Sequence, residues 1–259
     1  AFLNSVDPII QLQKKYNVAA IQYINQRHEN QTLSTDQYQT CHAITQACSK
    51  MNDWVYAMTD RFSAQSTILL GGDHSVIFGH VNALTKHRKK PVSLFNLDAH
   101  LDLRKSYMGF TYSHASIMEN ILSHGFIDSI SYVGCRDFSI AEYHQALTYN
   151  AHLFSDYSLS ERLFQGETWQ SICEDIVNSL HDSVILSLDV DVFCPSLVPH
   201  TGTPVPGGLS FQQFRTLLQC LAQSGKTILG SQLVETGDHA IDTIFSCHAL
   251  LQLVLLSQN

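Results

Sequence analysis

Asp-x-His-x-Asp closes an apolar run at Phe95-Asn96-Leu97-Asp98-Ala99-His100-Leu101-Asp102, after the lead-in Pro91-Val92-Ser93-Leu94. Side chains alternate along an extended backbone, so Asp98, His100 and Asp102 share one side if the strand persists. Two carboxylates and an imidazole at a strand end make half of a divalent-metal site, although the motif alone also fits a solvated turn. Ser187-Leu188-Asp189-Val190-Asp191 repeats the arrangement, with Asp189 and Asp191 on one face of a second apolar run. Such a pair repels unless it is protonated, hydrogen-bonded or metal-bound. Gly71-Gly72-Asp73-His74-Ser75 follows a third run, Thr67-Ile68-Leu69-Leu70, and delivers His74 to another strand end. Its glycines allow a tight, close-approach turn. A helix start capped by Asp73 or Ser75 explains those two residues equally well, and His74 less well.

Three strand ends therefore offer His74, Asp98, His100, Asp102, Asp189 and Asp191, more donors than one structural zinc uses. An oxygen-rich set with some imidazole suits Mn²⁺ or a similar hard-to-borderline ion. Two ions sharing bridging carboxylates is the natural arrangement, and such a pair can turn a bridging water into hydroxide near neutral pH.

The ends need strands to carry them. The apolar pattern predicts strands at 18–24, 67–70, 91–97, 129–133, 184–188 and 227–234. Between them it predicts helices from about 36 to 62, then at 75–86, 139–147, 168–180, 211–225 and 238–256. Residues 25–35 read as loop, and Ser210-Phe211-Gln212-Gln213 fits a capping box. Strand–helix alternation with near-continuous apolar strands means an α/β fold, a mostly parallel sheet covered on both faces. Ligands in such sheets bind beyond the carboxyl ends of the strands. No linker or repeat divides residues 1–259, so a single domain is expected.

Composition narrows the partners. Hydrophobic residues at 44% and charged ones at 15% describe a globular chain with much buried surface. A net charge of −8 and a pI near 5.9 argue against nucleic acid or an anionic membrane as partner. Seven cysteines without a Cys-x-x-Cys read as free thiols in a reducing compartment. Residues 1–15 lack a basic stretch followed by an apolar run, and the apolar segment 250–256 is too short to span a bilayer. A cytoplasmic protein is the expectation.

The motifs at 71–75, at 98–102, and at 187–209 (Ser-Leu-Asp-Val-Asp, then Pro, then Gly-Thr-Pro-x-Pro-Gly-Gly-Leu) resemble, in order, the three signatures of the ureohydrolases. These are the arginase, agmatinase and formimidoylglutamase enzymes. The resemblance implies an arginase-like three-layer α/β/α fold and two Mn²⁺ per chain. It places His74 and Asp102 at one metal, His100 and Asp191 at the other, and Asp98 and Asp189 as bridges. The implied reaction is attack of a metal-bridging hydroxide, oriented by Asp102, on the amidine or guanidine carbon of a small linear substrate. Arginine- or agmatine-like compounds would release urea. His114 matches a proton-shuttling histidine that protonates the leaving amine, and Glu235 matches a guanidinium-binding glutamate. As bland alternatives, His114 fits an ordinary helix start and Glu235 a surface residue after a strand.

The chain also departs from the family pattern. Residues 1–60 lack the usual Gly/Pro-rich opening, Cys194 stands where Asp commonly precedes Pro, and Ala115 replaces a common Gly. Ser139 replaces an acid in a loop through which arginases contact an α-amino group. Asp102-Leu103-Arg104 looks more like the formimidoylglutamase branch, where Arg104 could pair with a substrate carboxylate and formamide would be released. A non-catalytic metal-binding homologue is the other alternative. A trimer or hexamer is suggested by the family alone.

Overall fold

The computed structural model describes residues 18–24, 35–62 and 65–258. Its centre is a six-stranded sheet with strand order β1-β6-β5-β2-β3-β4, every neighbouring pair parallel. The strands are β1 (Thr67–Leu70), β2 (Val92–Leu97), β3 (Ser129–Val133), β4 (His152–Phe154), β5 (Ser183–Asp189) and β6 (Thr227–Val234). The helices are α1 (Thr35–Arg61), α2 (Ile77–Thr85), α3 (Ile117–Ser123), α4 (Ile140–Thr148), α5 (Asp156–Phe164), α6 (Trp169–Asn178), α7 (Phe211–Gln223) and α8 (Ala240–Leu256).

Alternation along the central strands builds two cores, one on each face. Phe95 and Leu97 of β2, with Val184, Leu186 and Leu188 of β5, meet apolar residues of α6, α7 and α8. Val92 and Leu94, with Ile185, meet α2 and α3 on the opposite face. A strand buried on both faces has no polar side to show, which is why these runs are almost wholly apolar. Together the layers form the α/β/α arrangement expected.

Register decides where the chain leaves the sheet. Leu70, Leu233, Leu188, Leu97, Val133 and Phe154 form one rung across all six strands. The next residues are Gly71, Val234, Asp189, Asp98, Gly134 and Ser155, so every loop begins within one residue of the same height. That shared height is what gathers distant motifs over a single edge.

The expected strand at 18–24 is instead helical. Its apolar residues do not alternate in burial: Val18 and Ile21 are exposed while Tyr23 is buried with Ile44 and Phe110. Short apolar runs fit either structure by periodicity. The expected loop at 25–35 lies outside the described residues, apart from Thr35 at the start of α1. Three elements escaped the pattern: β4 and α3, too short to show a period, and α5, whose Tyr157 and Phe164 face solvent. Ser210 forms the predicted capping box with Gln213. Among the described residues no helix is long and apolar enough to cross a membrane.

Candidate metal centre

Three strand ends use the same local device. Asp73 Oδ1 accepts from Ser75 N (2.9 Å), Asp98 Oδ1 from His100 N (2.7 Å), and Asp189 Oδ1 from Asp191 N (2.9 Å). Each is an aspartate bonding its own backbone two residues on, a turn that Asp makes readily. At β2 and β5 the turn occupies Oδ1 and aims Oδ2 into the space above the sheet. Of the two glycines after β1, only Gly71 is sterically needed: a Cβ there would lie 2.5 Å from Val76 and 2.9 Å from Val234, whereas Gly72 has open space.

Extended backbone does not continue through Asp102, contrary to the alternation reading. Strand β2 ends at Leu97, and Asp102 has a left-handed backbone (φ 53°). Its carbonyl accepts from Met118 N (3.1 Å) and Glu119 N (3.4 Å), and Tyr132 Oη donates to the Leu101 carbonyl (2.9 Å). Asp102 therefore returns beside Asp98 by a turn pinned from β3 and α3. Val190–Val192 is likewise a 3₁₀ turn, not strand.

The six side chains nevertheless converge. His74 Nδ1 lies 3.2 Å from Asp98 Oδ2, 3.2 Å from Asp102 Oδ2 and 3.3 Å from Asp189 Oδ2. Its Nε2 is held by Ser187 Oγ at 2.8 Å, while Nδ1 is buried without a hydrogen-bond partner. His100 Nδ1 lies 2.9 Å from Asp191 Oδ2 and 3.6 Å from Asp98 Oδ1, and Asp191 Oδ1 accepts from Ala99 N (3.0 Å). Two triads, His74/Asp98/Asp189 and Asp98/His100/Asp191, could each hold a metal ion, with Asp98 common to both. A buried imidazole nitrogen faced by three carboxylate oxygens and bonded to none of them fits a cation held between them.

Electrostatics agree. Burial alone would lower the His74 imidazole, but the carboxylates of Asp102, Asp189 and Asp98 raise it well above its ordinary value. The His100 imidazole, lowered by burial but raised more by Asp191 and Asp98, rises to about 11. Burial, then the Asp98 charge, lifts Asp102 to about 7. Asp189 is raised by burial, Asp191 and Asp98. Asp98 itself, raised by burial, is pulled below the usual carboxylate range by His100 and His74. So many carboxylates in one buried space need protons or a cation to coexist.

A pocket of about 170 Å³ opens from this centre, lined also by His114, Glu235, Arg104 and Tyr107. Glu235 is half-buried rather than a surface residue. Its N donates to Gly72 O (2.8 Å), and its Oε1 accepts from His74 N (2.7 Å). Burial and Asp73 raise its carboxyl to about 7. Both Glu235 (φ 62°) and Asp102 are left-handed, a conformation rare outside glycine that persists where surroundings enforce it. His114 sits against the Tyr107 ring (centroids 5.6 Å apart), its imidazole lowered by burial. Tyr107 lies on a tight turn closed by mutual backbone bonds with Phe110 (3.1 and 2.9 Å). Phe110 packs on Tyr23 (5.2 Å), and Cys41 Sγ donates to Gly109 O (3.0 Å).

Cys194 keeps its loop in place, its N donating to Leu209 O (3.1 Å) and its Sγ lying 3.1 Å from Ser196 Oγ. Ser139 caps α4 with Glu142 rather than facing the pocket. Sequence reasoning missed Ser187, Tyr107 and Arg136. Ser187 had a signal, being the lone polar residue in Val184 to Leu188 and on the Asp189 face. Tyr107 and Arg136 had none beyond position.

A parallel sheet covered on both faces, with paired His/Asp triads over its carboxyl edge, defines the class. The Arginase family matches residues 8–243, and the chain belongs to it. The N(1)-aminopropylagmatine ureohydrolase of Thermus thermophilus is 35% identical over 170 residues, 65% of this chain and 54% of that protein. The agmatinase of Pyrococcus horikoshii is 35% identical over 172 residues, 66% and 55% of the two chains. The chain thus spans about half the length of these curated relatives. The agmatine ureohydrolase of Thermoplasma volcanium superposes with a TM-score of 0.68 at 27% identity, covering 81% of this chain and 69% of that one.

Proposed function

We propose that this chain is a binuclear manganese hydrolase of a guanidino or amidino C–N bond in a small linear substrate. The observation that carries it is the buried Nδ1 of His74, unbonded among three carboxylate oxygens, beside a half-buried Glu235 in the same pocket. His74, Asp102, Asp98 and Asp189 would hold one ion, and His100, Asp191, Asp98 and Asp189 the other. The chemistry such a pair supplies is acidity, bringing water within reach of deprotonation near neutral pH.

The chain's own residues do the rest. Glu235 Oε1 is engaged by His74 N, leaving Oε2 to accept from an amidinium, whose positive charge favours the ionised carboxylate. His114, kept neutral by burial, can take up the proton released from water and pass it to the departing amine. Water adds at the carbon, the C–N bond breaks, and the amine leaves protonated with urea as co-product. Residues 1–259 would act as one catalytic domain. All seven cysteines are free, which suits the cytoplasm.

One observation favours a second reading, a formimidoylglutamase. Arg104 Nε lies 3.4 Å from Glu142 Oε2 and its guanidinium covers the Tyr107 ring at 5.2 Å. Arg104 lines the pocket, and its guanidinium could grip a substrate carboxylate in bidentate fashion.

Manganese-loaded protein should release urea from one of agmatine, arginine or 4-guanidinobutyrate, or formamide from formimidoylglutamate. His114→Ala should retain both metals and lose turnover by about a hundredfold. Two bound equivalents with no product from any of the four would overturn the hydrolytic reading.

A further inference from the structure

Arg136 follows β3 and directs its whole guanidinium at backbone carbonyls. Nη2 donates to Asp191 O (2.8 Å), Val205 O (3.0 Å) and Phe193 O (3.3 Å). Nη1 donates to Gly134 O (3.0 Å) and Val192 O (3.4 Å), and Nε to Pro206 O (3.2 Å) and Val205 O (3.3 Å). Among the described residues no carboxylate forms an ion pair with it. A planar cation with a fixed fork of donors is thus used as a bolt between two loops, 190–193 and 205–208. Gly208 is left-handed (φ 92°), and a Cβ there would lie 2.5 Å from Val192 O and 2.8 Å from Arg136 Nη2. Only glycine lets the loops close on the guanidinium.

The bolt acts on one triad. Asp191 lies on the 3₁₀ turn, two residues beyond the β5 ladder. Arg136 caps that turn's carbonyls, where a cation is favoured. The backbone N of Arg136 (2.7 Å) and of Asp137 (3.0 Å) donate to Ala99 O, the residue between Asp98 and His100. One short loop therefore fixes the backbones of both Asp191 and His100. By contrast, His74 is held by Ser187 and Glu235, and Asp189 lies within the ladder opposite Val234. None of these touches Arg136.

We propose that Arg136 is a positioning residue that sets the Asp98/His100/Asp191 site selectively, leaving the His74/Asp98/Asp189 site to other supports. This rests on the two-metal reading above. Without the guanidinium the carbonyls of Asp191 and Phe193 lose their donor, and the Asp191 carboxylate no longer meets His100 at a fixed distance. The outcome is a chain that binds one ion tightly and the other weakly.

The test is Mn²⁺ titration by calorimetry, with metal content after desalting and electron paramagnetic resonance, on wild type, Arg136→Met and Arg136→Lys. Wild type should take two equivalents and show a spin-coupled pair. Arg136→Met should keep one at wild-type affinity, weaken the other by about tenfold or more, and show the spectrum of a lone ion. Arg136→Lys, with charge but no fork, should fall between them. If Arg136→Met does not fold, Arg136→Lys is judged by the same criterion, a selective weakening of one equivalent. Two equivalents of unchanged affinity in the folded variants overturn the inference, as does equal weakening of both. Fewer than two equivalents in wild type overturns the two-metal reading and this inference with it.

Discussion

On one side of the centre the His74 imidazole is sealed: its side chain has no exposure, one nitrogen is bonded to Ser187 and the other is enclosed by carboxylates. On its His100 side the ring keeps 20% exposure and its neighbours stand on turns beyond the sheet. The two sides share Asp98, and Asp189 Oδ1 reaches across to Asp191 N, but most of their supports differ. Ser187 of β5 and Glu235 just beyond β6 hold His74; a loop and a guanidinium hold the other side. If the centre binds two ions as proposed, the difference implies that the halves load unequally when one set of supports is loosened.

The largest expected effect removes what the halves share. Asp98→Ala takes a carboxylate from both triads, so both metal equivalents should be lost. Activity should fall by about a thousandfold or more, ~4 kcal/mol at 1.36 kcal/mol per factor of ten. A variant that retained two equivalents, measured by elemental analysis, would break the shared-donor geometry.

Acid should sharpen the comparison. The Asp102 carboxyl, lifted to about 7 by burial and then by Asp98, holds a proton below that pH, and the His100 imidazole, lowered by burial but held up by Asp191 and Asp98, stays protonated to about 11. A cation must displace those protons, so affinity for Mn²⁺ should fall as pH drops, by about tenfold per unit for each proton displaced. Calorimetry in buffers of different ionisation enthalpy would count the protons released. A binding constant flat across the range around pH 7 would contradict the raised groups.

The smallest effect is the mirror of Arg136. Ser187→Ala frees His74 Nε2 and should weaken one equivalent by about tenfold, leaving the His100 side unchanged. Unequal loading in opposite senses for the two variants is the pattern that separate supports require.

Much of this was legible in the sequence. The three motifs follow apolar runs whose register levels them on one rung, so their convergence needed only a parallel sheet. The path was less legible. Alternation predicted that Asp102 would meet Asp98 along a strand, and it arrives instead through a left-handed turn anchored by Tyr132 and α3. Local pattern says nothing about a carbonyl held from another element. Arg136 is the same case, since all its carbonyl partners but Gly134 lie 55 to 70 residues away in sequence. The stretch 18–24 is helical where a strand is expected, because so short an apolar run fits either structure and only the packing of Tyr23 on Ile44 and Phe110 decides.

The turn at Tyr107–Phe110 leans on Tyr23, Ile44 and Cys41, so this side of the pocket is shaped by a part of the chain that, among the described residues, gives no member to either triad. Under the proposed function, substitutions in that N-terminal stretch would act on the Tyr107 side of the pocket while the six donors stay as they are. The shape of the pocket and the donors at its floor are, in this chain, written in separable stretches of inheritance.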